Sequence, residues 1–151
     1  MKLEPLYEAH VEIKQPVEVG AGPFGVRIVY DIAGGTVEGP RLKGKVLPSG
    51  ADWLLVTNDG VSRLSVRATV LTDDGAHIYL EYPGIAQLPP EVAARFMLGE
   101  TVDYGEGYFM TTPRFETGDP RYAWLNAVVA VAEGRMGPGW VEFRAYHVVN
   151  G

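Results

Sequence analysis

Apolar and polar residues alternate along most of this chain. In Leu3–Ile13, Tyr7, Ala9, Val11 and Ile13 share one face, while Glu8, His10 and Glu12 share the other. A period of two belongs to a half-buried β-strand and does not fit an amphipathic helix, whose period is 3.6. The pattern returns at Phe24, Val26, Ile28, Tyr30 and Ile32. It returns again in Val61–Thr72, where Leu64, Val66, Ala68 and Val70 oppose Arg63, Ser65, Arg67 and Thr69. The same reading predicts strands at Trp53–Thr57, Ala76–Tyr82, Gly107–Thr117, Tyr122–Glu133 and Trp140–Val149.

Between the strands lie turn residues. The chain has 19 Gly and 11 Pro among 151 residues, with no collagen-like period, and such an excess implies many turns. Asp73-Asp74-Gly75 is the strongest hairpin turn. Gly34, Gly35, Gly39, Gly44 and Gly50 interrupt one long stretch, and glycine within strands marks the bulges and bends that let a sheet curl. One helix is predicted near residues 90–98. Pro90 opens it, Val92, Ala93, Phe96 and Met97 form its apolar stripe, and Gly99 is placed to end it. The expected fold class is all-β: a single antiparallel β-barrel domain over residues 1–151, of about eight or more strands, whose closure removes exposed edges.

Composition narrows the function. Cysteine is absent, which removes disulfides, thiolate nucleophiles and Cys-ligated metals. The net charge of −6, without a basic cluster, argues against nucleic acid and anionic membranes as partners. No apolar run approaches the roughly 20 residues of a membrane-spanning helix, and the charged N-terminus is unlike a signal peptide. A cytoplasmic location is the default expectation. His10, His77 and His147 are the only imidazoles, and no three ligands can be brought together from spacing, so no metal and no cofactor are expected. "GAGPFG" lacks the dinucleotide-binding spacing and context and reads as a turn. The acidic turns read as local turn chemistry rather than calcium loops.

Polar residues within apolar strands are the remaining candidates: Asp52 before Trp53, Arg67 in mid-strand, Tyr79, Thr112 and Glu116 around Pro113 and Phe115, and Asn126 on a strand face with Tyr122 and Trp124. Alternate residues of a barrel strand point into the lumen, and a ligand cavity mixes aromatic walls with a few polar groups. Alternation alone does not say which face is the lumen, and on the outer face Arg67 and Glu116 would simply be solvated.

Three consecutive blocks, "GGTVEGPRLKGKVLPSGADW", "TDDGAHIYLEYPG" and "FMTTPRFETGDPRYAWLN", resemble the domain-of-unknown-function family numbered 3237. The resemblance covers nearly the whole chain. It implies one antiparallel barrel similar to that of allene oxide cyclase, in proteins that often accompany pathways for small aromatic or polyketide-like compounds. The family's polar signature corresponds here to Asp52, Asp74, Thr112, Glu116, Tyr122, Trp124 and Asn126. Family members commonly carry Arg before the first Thr of "TTP". This chain has Met110 there, which counts against an anion clamp at that spot.

The leading expectation is a cofactor-independent lyase, isomerase or cyclase that uses general acid–base chemistry on an oxygenated aromatic or cyclic substrate. Such chemistry needs a proton acceptor, a donor and an oxyanion stabiliser. Asp52 or Glu116 is the expected base, Tyr79 or Tyr122 the proton donor, and Arg67 and Asn126 the groups that hold an oxyanion or carbonyl. Trp53, Phe109 and Trp124 are the expected walls, with Thr112 beside them. The alternatives are a non-catalytic small-molecule carrier or sensor and a filled structural barrel. Homo-oligomerisation is compatible with apolar outer faces, but the subunit number is not readable.

Overall fold

The computed structural model describes residues 1–151. Ten strands follow in order: β1 (Lys2–Ile13), β2 (Val17–Gly22), β3 (Gly25–Glu38), β4 (Lys43–Val56), β5 (Ser62–Thr72), β6 (His77–Gln87), β7 (Tyr108–Thr111), β8 (Arg114–Glu116), β9 (Ala130–Gly137) and β10 (Trp140–Val149). The helix α1 (Pro90–Met97) lies between β6 and β7, and a 3₁₀ helix (Pro120–Ala127) between β8 and β9.

All pairings are antiparallel, in the order β1-β10-β9-β7-β6-β5-β4-β3, and β1 then pairs with β3 to close the ring. The expected barrel is therefore present: eight strands close it, β2 extends it beside the first half of β3, and β8 extends it beside the first half of β6. Closure depends on Gly35. Its φ is +152°, and a Cβ there would sit 2.0 Å from the main-chain oxygen of His10 on β1. A larger residue would push apart the two strands that complete the ring.

The alternation fixes which side is inside. Tyr7, Ala9, Val11, Leu64, Val66, Ala68, Val70, Ile78 and Leu80 are buried in one continuous core. Their odd-spaced neighbours face outward. No helix is long and apolar enough to cross a membrane.

Two predicted strands are longer than expected, Trp53–Thr57 falling at the end of β4 and Ala76–Tyr82 at the start of β6, and two differ in kind. Gly107–Thr117 is split into β7 and β8 at Pro113, which has no amide hydrogen to give to a ladder. The first half of Tyr122–Glu133 is the 3₁₀ helix. Pro120 starts it and the Asp119 carboxylate accepts the Arg121 amide at 2.9 Å. Tyr122 and Leu125, three residues apart, are its buried face, a spacing that also satisfies a helix. β2 has no counterpart in the prediction: Val17, Glu18 and Val19 are all exposed, so it carries no burial pattern.

Candidate active site

The two ends of the barrel differ. At one end the 3₁₀ helix plugs the lumen, with Leu125 fully buried among core residues. At the other end the lumen opens into a cavity of about 390 Å³. Its walls come from the last residues of β1, β4, β6 and β9 and the first residues of β3, β5, β7 and β10. Its floor is an aromatic cluster. The Phe143 ring meets Tyr82 at 5.6 Å and Phe109 at 5.5 Å, both edge to face. Beneath this floor a void of about 30 Å³ leads towards the buried Tyr7. Ala93 and Phe96 of α1 reach over the mouth from one side. Trp140 also lines it, its indole lying where a Cβ on Gly137 would come within 2.4 Å of it.

Nineteen of the 23 lining residues are hydrophobic, and Asp52 is the only carboxylate among them. The strand register explains its company. Tyr30 on β3 pairs with Asp52 on β4, Asp52 pairs with Val66 on β5, and Val66 pairs with Tyr82 on β6. The row Tyr30–Asp52–Val66–Tyr82 thus runs across four neighbouring strands on the lumen side. Asp52 Oδ1 accepts the main-chain amide of Ser65 at 3.0 Å. Its other oxygen has no partner in the protein.

Burial pushes the Asp52 carboxyl up to about 6, against the opposing pull of the Ser65 amide and the more distant Arg27. Every other carboxylate with a displaced pKa is displaced downward: Asp59, Asp74, Asp103, Glu106, Asp119 and Glu142. Burial, with the Asp52 charge adding to it, also raises Tyr30; Tyr82 rises for the same leading cause, with Tyr7 and Asp52 contributing. Neither phenol has a hydrogen-bond partner in the protein. The cavity therefore holds one proton acceptor near neutrality and two phenol donors with nothing to bond to, a combination suited to proton transfer.

The family described as "Protein of unknown function (DUF3237)" matches residues 1–148. The chain belongs to the DUF3237 family. A UPF0311 protein of Clostridium acetobutylicum is 38% identical over 138 residues, 90% of this chain and 87% of that protein. A conserved protein of unknown function from Rhodopseudomonas palustris superposes with a TM-score of 0.91 at 34% identity, over 99% of each chain. A structure described as an enzyme from Penicillium herquei shares the fold at a TM-score of 0.72 and 20% identity, over 98% of this chain and 94% of that one.

In this DUF3237 barrel, of the residues expected at the site, Asp52 and Phe109 line the cavity. The others lie elsewhere. Arg67 is on the outer face, its guanidinium 4.5 Å from the centroid of the Trp53 ring. Tyr79 is on the same face, donating to Glu81 at 3.0 Å, and pairs across strands with the exposed Glu116. The reason is parity: Leu64, Val66, Ala68 and Val70 face inward, so Arg67 cannot, and the inward Leu80 forces Tyr79 outward. Thr112 is exposed beside β7.

Tyr122, Trp124 and Asn126 sit in the 3₁₀ helix at the plugged end, and their contacts are structural. The Tyr122 hydroxyl donates to the Asp74 carboxylate at 2.9 Å. Trp124 lies under Arg41, 3.7 Å from ring centroid to guanidinium. Asn126 accepts the Thr117 amide at 2.8 Å and donates to the Thr117 carbonyl at 3.0 Å. The expected pairing of Glu116, Tyr79 and Arg67 with Asp52 as one catalytic group is thus not what the barrel brings together. Tyr30, Tyr82, Phe96, Trp140 and Phe143 also line the cavity and are not among the residues expected from the sequence. A signal for two of them was present: Tyr30 follows Val26 and Ile28, and Tyr82 follows Ile78 and Leu80, each at a spacing of two.

Proposed function

We propose that the protein is a cofactor-independent small-molecule enzyme whose acid–base group is Asp52, working in the mouth cavity. The observation that carries this reading is the lone carboxylate, set in an apolar, aromatic-walled cavity with one free oxygen. Such an environment brings a carboxylate into the range where it both takes and gives a proton at neutral pH. Tyr30 and Tyr82 would donate hydrogen bonds to a substrate oxygen, and Phe109, Phe143 and Trp140 would hold a ring. The fitting reactions are a proton shift, an elimination of water or alcohol, or a ring closure on an oxygenated cyclic or aromatic compound. In each, Asp52 removes a proton at one atom and returns it at another or to the leaving oxygen. The likeness to a structure described as an enzyme supports the fold's capacity for catalysis and says nothing of the reaction.

A thermal-shift screen against phenols, aromatic ketones and lactones, with each hit followed by NMR over hours, tests this. A ligand bound to the folded state raises the melting temperature. Turnover that falls by about 100-fold or more in Asp52→Asn supports the assignment; turnover that survives the substitution sinks it. The apolar majority of the lining favours a second reading, a carrier. It predicts hits that stay chemically unchanged.

A further inference from the structure

We propose that the mouth cavity selects its ligand by charge: it admits uncharged or protonated ring compounds that offer a hydrogen-bond donor to Asp52, and it turns away carboxylates, sulfates and phosphates. This rests on the mouth cavity being the ligand site, as proposed above.

The lining contains no Lys, Arg or His. Three cations of the surrounding elements are engaged outside it. Arg27 donates to the Trp53 carbonyl at 2.7 Å, Arg63 pairs with Asp59 at 3.2 Å, and Arg95 of α1 pairs with Glu106 at 2.8 Å. Further negative charge lies nearby, since Glu18 acts electrostatically on Tyr30. An anion entering this space would meet Asp52, whose charge only the more distant Arg27 offsets. Two like charges about 5 Å apart at an effective dielectric constant of about 20 repel strongly, and protonating Asp52 to escape the repulsion still costs more than about tenfold in affinity at pH 7.5.

A donor has the opposite fate. The oxygen of Asp52 without a protein partner accepts an O–H or N–H, and it is the only charged acceptor in the cavity. A protonated amine adds charge attraction, and the faces of Tyr30, Tyr82, Phe109, Phe143 and Trp140 favour a cation further. The chain's overall charge of −6 repels anions from the mouth before they arrive.

The test uses one scaffold in three charge states: 1-naphthalenemethanol, 1-naphthylmethylamine and 1-naphthoic acid, titrated calorimetrically at pH 7.5. The amine is expected to bind tightest, the alcohol next, and the acid at least tenfold more weakly than the alcohol. In Asp52→Asn the Ser65 amide keeps an oxygen acceptor. There the acid should gain at least tenfold, the amine should lose at least tenfold and the alcohol should change little. Leu54→Lys, which adds a cation to the lining, should favour the acid independently. An acid that binds within threefold of the alcohol, or an affinity order that Asp52→Asn leaves unchanged, overturns charge selection while leaving the cavity as the ligand site. If none of the three binds, the ligand-site reading falls and charge selection falls with it.

Discussion

Both ends of this barrel hold an aspartate and tyrosines, and they use them in opposite ways. At the plugged end Asp74 takes the Thr72 hydroxyl at 2.6 Å and the Tyr122 hydroxyl at 2.9 Å, with Arg121 at 3.5 Å. The Thr72 and Tyr122 hydrogen bonds, with help from Arg121, hold its carboxyl below the ordinary range. At the open end Asp52 takes one main-chain amide, and its phenol neighbours Tyr30 and Tyr82 bond to nothing in the protein. The same side chains bond to the protein where they hold the fold together and stay free of protein partners, open to the cavity, where there is room for a ligand. This asymmetry, rather than the presence of polar residues, is what the proposed site at the open end rests on.

The largest expected effect lies at the plug. Leu125 is fully buried against the core. Leu125→Ala should cost about 3 kcal/mol of stability, lowering the melting midpoint by roughly 10 °C. Denaturant unfolding measures it. A loss below about 1 kcal/mol would mean that the 3₁₀ helix is not holding the barrel end, and the contrast between the ends would lose its structural half.

The next effect has the opposite sign. The Asp52 carboxyl titrates near 6 in the folded protein and at an ordinary 3.8 when unfolded. Between those values the folded state binds the extra proton, so Asp52 lowers stability as pH rises through the window. Its cost is absent below about 3.8 and complete above about 6. Asp74 and Asp119, displaced downward, act in reverse: their stabilisation is present above about 4 and is lost as pH falls below it. The wild type should therefore be most stable near about pH 4–5. Asp52→Asn should be more stable than wild type at pH 7.5 by about 2–3 kcal/mol, with the gain vanishing at pH 4. A gain that does not depend on pH, or none at all, would place Asp52 with the satisfied structural aspartates. A more stable variant that is also less active would be the signature of a group kept for function.

Much of the fold was legible because alternation reports burial directly. β10 and α1 fall where the sequence places them, and β5 within one residue at its start. The 3₁₀ helix was not legible as such, because Tyr122, Trp124 and Asn126 alternate like a strand while Tyr122 and Leu125 also keep helical spacing. Only Asp119 and Pro120 tip the balance. At the proposed site, the place of Asp52 beside a glycine bend singles it out, and it does line the cavity. Its partners were not legible, because attention to polar residues in mid-strand selects the outward face: Arg67 and Tyr79 are conspicuous among apolar neighbours because they point away from them. Tyr30 and Tyr82 are hidden in the apolar series. They become visible only when strand register sets them in one row with Asp52.

The smallest effect separates the two ends most cleanly, because it removes one oxygen atom from each. Tyr82→Phe deletes a hydroxyl with no protein partner, so stability should change by less than about 0.5 kcal/mol. Tyr122→Phe deletes a hydroxyl that bonds both oxygens of Asp74 at 2.9 Å, and its melting midpoint should fall measurably. Binding should rank the pair the other way. Tyr82→Phe should weaken a ligand that carries an oxygen acceptor by about fivefold to tenfold, the worth of one ordinary hydrogen bond, and Tyr122→Phe should leave that affinity unchanged. Thermal melts and calorimetric titrations on the same two proteins read both rankings. If Tyr82→Phe proves the more destabilising of the two, its hydroxyl is a structural group after all, and the open end is no less satisfied than the plug.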